Sequence, residues 1–110
     1  MSRETRRFMR LMVFFDLPTL TKADKRAYTL FHRFLVKDGY DMLQWSVYAR
    51  IVNGLDDVSK HQRRLEANLP AQGSVRCMKI SEKQYAAMEI LVGTKTVQEE
   101  KIGNLQLLLF

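Results

Sequence analysis

The segment Phe8 to Asp16, FMRLMVFFD, carries apolar side chains on both sides of a two-residue alternation. Leu11, Val13 and Phe15 fall on one side, and Arg10, Met12, Phe14 and Asp16 on the other, which is the period of a β-strand. Leu17-Pro18 ends the strand, because proline has no N–H to give to a ladder. Helices laid on one side leave the Met12 and Phe14 side uncovered. An apolar sheet face of that size marks an interface, and a homodimer, sheet against sheet, is the economical way to cover it.

The segments that follow supply the helices. Thr21 and Asp24 form a capping box, and Gly39 is placed to close the helix they open. Within it Ala27, Phe31, Phe34 and Leu35 recur at helical spacing, with Tyr28 on the border. Met42 to Val52 reads as one strand rich in β-formers, with Trp45 alternating between Leu43 and Val47 as a core residue. Asn53 to Leu69 reads as a second helix, with Asp56 and Asp57 in its first turn where the helix dipole favours negative charge. Ser74 to Ile80 is a third strand, Ser81 and Gln84 cap a short helix to about Met88, and Glu89 to Val92 can form a short fourth strand. Residues 94–103 are a polar connection, and LQLLLF at the end is a last strand candidate. A terminal strand that crosses to a partner's sheet edge buries itself and blunts that edge.

The resulting order, β-α-β-α-β-α-β over a single domain of 110 residues, is compatible with an α+β, ferredoxin-like split β-α-β sandwich. A small parallel α/β sheet fits the pattern as well. A chain this short buries only about two-thirds of its unfolded surface, so a partner chain is a natural source of further stability.

Charge narrows the choice of partner. Lys and Arg number 18 against 12 acids, a net charge of +6, which suits a polyanion. Lys22, Arg26, Arg33 and Lys37 fall within about 60° of one another on the first helix, with no acid in the strip. Like charges at this spacing repel by a few tenths of a kcal/mol, and phosphates relieve that repulsion. A solvated polar face would show the same pattern. Arg3, Arg6, Arg7 and Arg10 make a basic N-terminus, and Lys60, His61, Arg63 and Arg64 a third cluster. Tyr28, Trp45 and Tyr48 are candidates for stacking on bases, although Trp45 reads first as core.

Other chemistry is sparse. Asp16 ends the first strand on the proposed dimer face, where a two-fold axis would bring two copies together. Paired carboxylates attract a hard divalent cation such as Mg²⁺, which can polarise a phosphodiester. The same aspartate also suits the start of a turn. His32 and His61, the only histidines, lack companions at metal-ligand spacing and read as structural or surface residues. Cys77, the single cysteine, reads as a buried thiol, and the absence of disulfides fits a reducing, cytoplasmic setting. No stretch approaches the ~18 apolar residues of a membrane span. The basic start MSRETRRFMR lacks the apolar core of a signal peptide.

Taken in order, four of these segments resemble one family. They are LMVFFDLP (Leu11 to Pro18), KRAYTLFHRFL (Lys25 to Leu35) followed by Gly39-Tyr40, QWSVY (Gln44 to Tyr48) with Arg50, and SEKQY (Ser81 to Tyr85). The chain is similar over roughly residues 8–92 to the small CRISPR-associated adaptation proteins, described as endoribonucleases, in the form associated with type II systems. That resemblance implies a ferredoxin-like homodimer with an exchanged C-terminal strand. It further implies a scaffold flanked by two dimers of a CRISPR integrase partner, with a short DNA duplex, the spacer precursor, lying across the assembly. Some members of the family cleave single-stranded RNA or double-stranded DNA with Mg²⁺, and the family aspartate maps onto Asp16. The residue before it is often tyrosine in that family, whereas here Phe15 removes the phenol. A scaffold for spacer acquisition and a metal-dependent endonuclease are therefore the two functional expectations.

Overall fold

The computed structural model describes residues 8–94. The chain runs β1 (Phe8–Asp16), α1 (Lys22–Lys37), β2 (Asp41–Gln44), β3 (Val47–Asn53), α2 (Gly54–Glu66), β4 (Ser74–Ser81) and α3 (Glu82–Ala86). The four strands form one antiparallel sheet in the order β2-β3-β1-β4. Leu11, Val13 and Phe15 of β1, Tyr48 and Val52 of β3, Phe31 and Leu35 of α1, and Val58 and Leu65 of α2 make a single core. Both long helices thus cover one face, which is the ferredoxin-like arrangement anticipated above. The Arg6 and Arg7 positions and the exchanged strand expected within 94–110 lie outside the described residues, apart from Thr94 itself. No helix among the described residues is long and apolar enough to cross a membrane.

Aromatic rings fix the centre of that core. Phe15 meets Phe31 edge-on at 5.2 Å and stacks on Tyr48 at 5.5 Å between ring centroids. Each such pair adds about 0.5–1.5 kcal/mol to the burial of its area. The capping box of α1 forms as read: the Asp24 N–H donates to the Thr21 hydroxyl at 3.0 Å, and the Thr21 N–H donates to the Asp24 carboxylate at 3.1 Å. Gly39, at φ +92°, closes the other end; a Cβ there would lie 3.0 Å from the Arg50 guanidinium. Gly73 is held more tightly still, because a Cβ would come within 2.7 Å of the Asp16 carbonyl.

The structure corrects the reading of residues 42–52 as one strand. They form a hairpin, β2 and β3, joined through Trp45 and Ser46, and Ser46 takes the left-handed φ of 65° that the tight reversal demands. The Phe15 N–H donates to the Ser46 carbonyl at 3.0 Å and pins the turn to the end of β1. Trp45, expected in the core, sits at this turn and is 71% exposed. Glu89 to Val92, read as a possible strand, carries no regular structure. The element order is therefore β-α-β-β-α-β-α. Cys77, expected to be buried, is exposed because β4 is an edge strand.

The second sheet face is also less open than anticipated. Met12 is only 4% exposed and forms a small second core with Ala49 and Tyr85, against which Phe14, Leu43, Val47 and Ile80 pack. The cover is α3. Its reciprocal cap, Ser81 with Gln84, forms at 2.9 and 3.0 Å and directs the chain back over the sheet. Apolar surface persists on this face beyond its reach: Met78, opposite Met12 in the register, remains 50% exposed.

Candidate nucleic-acid interface and the Asp16 carboxylate

Helix α1 turns its basic strip away from the core, with the exposed Leu30 and Val36 flanking it. Phe31 and Leu35 point into the core, while Lys22, Arg26, Arg33 and Lys37 are all exposed. At about 100° per residue the four basic positions lie on the side away from the core, over a length of about 22 Å. None of them has an ion pair among the described residues. The strip thus presents uncompensated positive charge along most of the helix.

Arg10, expected among the nucleic-acid contacts, belongs to the fold. It is 5% exposed, its Nε donates to the Glu82 carboxylate, and its guanidinium carbon lies 4.1 Å above the Tyr85 ring. The pair is part-buried and ties β1 to α3. Tyr48, named as a possible base-stacking residue, is likewise buried, with its hydroxyl paired to Nδ1 of His32. Burial, and then the neighbouring Tyr28, raises its pKa.

Asp16 is exposed at the end of β1, opposite Ser74 of β4. No group of three His, Cys, Asp or Glu side chains suited to a metal gathers among the described residues. A hard cation takes six or more oxygen ligands, so Asp16 contributes one carboxylate where a metal centre needs several donors. Phe14 sits two residues before it, half-buried at the border of the second core.

The densest polar cluster among the described residues lies elsewhere. His61 is 2% exposed. Its Nδ1 is 2.8 Å from the Asp38 carboxylate, and its Nε2 is 3.3 Å from that of Asp57. Arg64 donates to the other Asp38 oxygen at 3.0 Å, and Arg50 donates to the Asp38 carbonyl. Beside them Tyr40 is buried with no hydrogen-bond partner for its hydroxyl among the described residues; burial first, and then the Asp38 charge, raises its pKa. The cluster ties the C-terminal end of α1 to α2, so His61 is structural, one of the two roles read for it. Asp57 and His61 stand four residues apart, a pairing visible in the sequence, whereas Asp38 reaches them only through the fold.

The family model described as CRISPR associated protein Cas2 matches residues 9–88. A protein from Acidovorax ebreus named CRISPR-associated endoribonuclease Cas2 is 58% identical, over 93% of this chain and 100% of its own length. Proteins of the same name from Treponema denticola and Campylobacter jejuni are each 41% identical. The first alignment covers 77% of this chain and 84% of the relative, and the second 89% and 68%.

The polar cluster predicts an acid-sensitive stability. Burial pushes the Asp57 carboxyl up. The hydrogen bond it accepts from the Asn53 N–H at 2.8 Å, together with Lys60 and His61, outweighs burial and holds its pKa below the ordinary 3.8. A carboxylate with a depressed folded-state pKa stabilises the fold above its unfolded value, and that contribution is lost as pH falls through the folded value. Asp57→Ala is expected to cost about 1 kcal/mol at neutral pH, the worth of a helix N-terminal hydrogen bond. In urea melts the gap from the native chain should close as pH drops below 3.8. A gap that stays constant into acid would assign the loss to packing.

Proposed function

The chain belongs to the CRISPR-associated Cas2 family, and from that premise we propose that it serves in CRISPR adaptation as a dimeric scaffold. In this role it binds duplex DNA along α1 and bridges dimers of an integrase partner. The observation that carries this reading is the strip of Lys22, Arg26, Arg33 and Lys37, exposed and without ion pairs among the described residues. Double-stranded DNA presents one negative charge per ~1.7 Å of axis, and neutralising its phosphates releases counterions. A straight row of cations on a rigid helix is suited to that backbone and indifferent to base sequence. Arg6 and Arg7 would add to it from the N-terminus.

Dimerisation in this reading uses the part of the second sheet face that α3 leaves open. Phe14 and Met78 border it, and Met12 supports it from beneath. A two-fold axis there doubles the net charge of +6 per chain and sets two α1 strips on opposite sides of the assembly. The exposed edge of β4 supports exchange of the LQLLLF strand, because an unpaired edge offers a ladder to an incoming strand.

Endonuclease activity on single-stranded RNA or double-stranded DNA is the second reading. It is favoured by the exposed Asp16 at the strand end and by the names of the relatives. The described residues of one chain do not by themselves make a Mg²⁺ site, so this reading requires donors beyond Asp16, such as the same residue of a second copy.

Three experiments test these proposals. Replacing Lys22, Arg26, Arg33 and Lys37 together by Gln should weaken duplex binding and flatten the plot of log affinity against log salt. The slope should fall by about 0.9 for each phosphate that is no longer neutralised. An unchanged slope would move the interface away from α1. Met78→Asp should yield a folded monomer in sedimentation, because the side chain is half exposed in one chain and its charge would be buried only in the dimer. A variant that stays dimeric would place the interface elsewhere. Asp16→Asn should leave spacer integration with the integrase intact while removing any Mg²⁺-dependent cleavage. Loss of integration in a variant that remains dimeric and partner-bound would put catalysis at Asp16 first.

A further inference from the structure

Trp45 is the only tryptophan in the chain and is 71% exposed. Large aromatic side chains are normally well buried, yet this one is held still. Its ring lies nearly parallel to that of Tyr28, 18° between planes and 5.4 Å between centroids. Tyr28 in turn meets Phe15 edge-on at 6.0 Å, and Phe15 is packed against Phe31 and Tyr48. From below, therefore, Trp45 is supported by a continuous chain of aromatic contacts rooted in the core. The turn that carries it is fixed by the left-handed Ser46 and by the Phe15 N–H on the Ser46 carbonyl.

We propose that Trp45, backed by Tyr28, is a stacking platform for one unpaired nucleobase of a strand that leaves the duplex bound along α1. The platform presupposes the nucleic-acid partner proposed above and adds a site for single-stranded character. Charge selects this occupant. Helix α1 carries Lys22, Lys25, Arg26, Arg33 and Lys37 against the single acid Asp24, whose carboxylate is engaged by the Thr21 N–H. Lys25 lies between the strip and Tyr28 around the helix, about 60° from Lys22 and about 60° from Tyr28. A cationic step thus connects the duplex strip to the aromatic platform. A nucleotide brings a π face and a negative phosphate together, which answers both features. Inside a duplex each base is covered on both faces by its neighbours, so an unpaired base is the form that presents a free face to a ring. Stacking of this kind tolerates any base, because every base has a π face.

Because Trp45 is the sole tryptophan, its fluorescence in the full-length native protein reports on this site alone. Three DNA probes are compared: a blunt duplex, the same duplex with a short thymidine overhang, and an oligothymidine strand. Trp45 emission should be quenched by the overhang and by the single strand and be little changed by the blunt duplex. In anisotropy titrations of labelled DNA, Trp45→Ala should weaken overhang binding about tenfold and leave blunt-duplex affinity unchanged. Trp45→Phe should retain part of the gain, and circular dichroism should report a native fold for both. Emission unmoved by every probe, while labelled duplex still binds, would overturn the platform alone. Equal quenching by blunt and overhanging duplexes would overturn it as well. Failure of every probe to bind at low salt would overturn the nucleic-acid reading together with the platform.

Discussion

The whole structure depends on covering β1 twice. This strand lies inside the sheet, between β3 and β4, with Leu11, Val13 and Phe15 on one face and Met12 and Phe14 on the other. Fully burying one large apolar side chain is worth about 1.5–3 kcal/mol, so neither face can be left to water without losing much of a small domain's stability. Helices α1 and α2 cover the first face. On the second, α3 is one and a half turns long and can shield only the Met12 end. The element that covers this second face is too short to cover all of it, and Met78 is left half exposed beside it.

How much of this was legible follows from the range of each interaction. The β1 alternation, both capping boxes and the basic strip of α1 are written in residues within a few positions of one another, and they emerged as read. The hairpin did not, because Gln44 to Val52 is rich in β-formers and its turn uses a serine in a left-handed conformation with no glycine to announce it. Trp45 was misplaced for the same reason: a strand drawn through the turn puts its ring in the core. Cys77 alternates like a buried residue, but burial on β4 depends on which neighbours the sheet order supplies, and an edge strand has one.

Arg10 shows the longer-range limit. In sequence it joins Arg6 and Arg7 as part of a basic cluster. Its place in the β1 alternation sets it apart from Arg6 and Arg7, but its partner Glu82 is 72 positions away, so the pairing itself required the fold. The Asp38–His61 contact is hidden in the same manner, since Asp38 caps the end of α1 and His61 lies within α2. Local pattern placed Asp16 and the α1 strip at positions that the fold leaves exposed, whereas the packing of Trp45 on Tyr28 required the fold.

These hidden pairs explain why the visible charges are free. Buried cations need partners, because an unpaired charge in the interior costs several kcal/mol. Four of the twelve acids are accordingly drawn inward or to helix ends: Glu82 to Arg10, Asp38 to His61 and Arg64, Asp57 to His61 and the α2 terminus, Asp24 to the α1 cap. None of these four is placed in the basic strip of α1. Repulsion between Lys22 and Arg26, and between Arg33 and Lys37, amounts to a few tenths of a kcal/mol each. Burial of Phe31 and Leu35 on the opposite side of the same helix outweighs it several-fold. Segregation of charge is thus inexpensive for the fold, and α1 carries five basic side chains against one acid along its 16 residues.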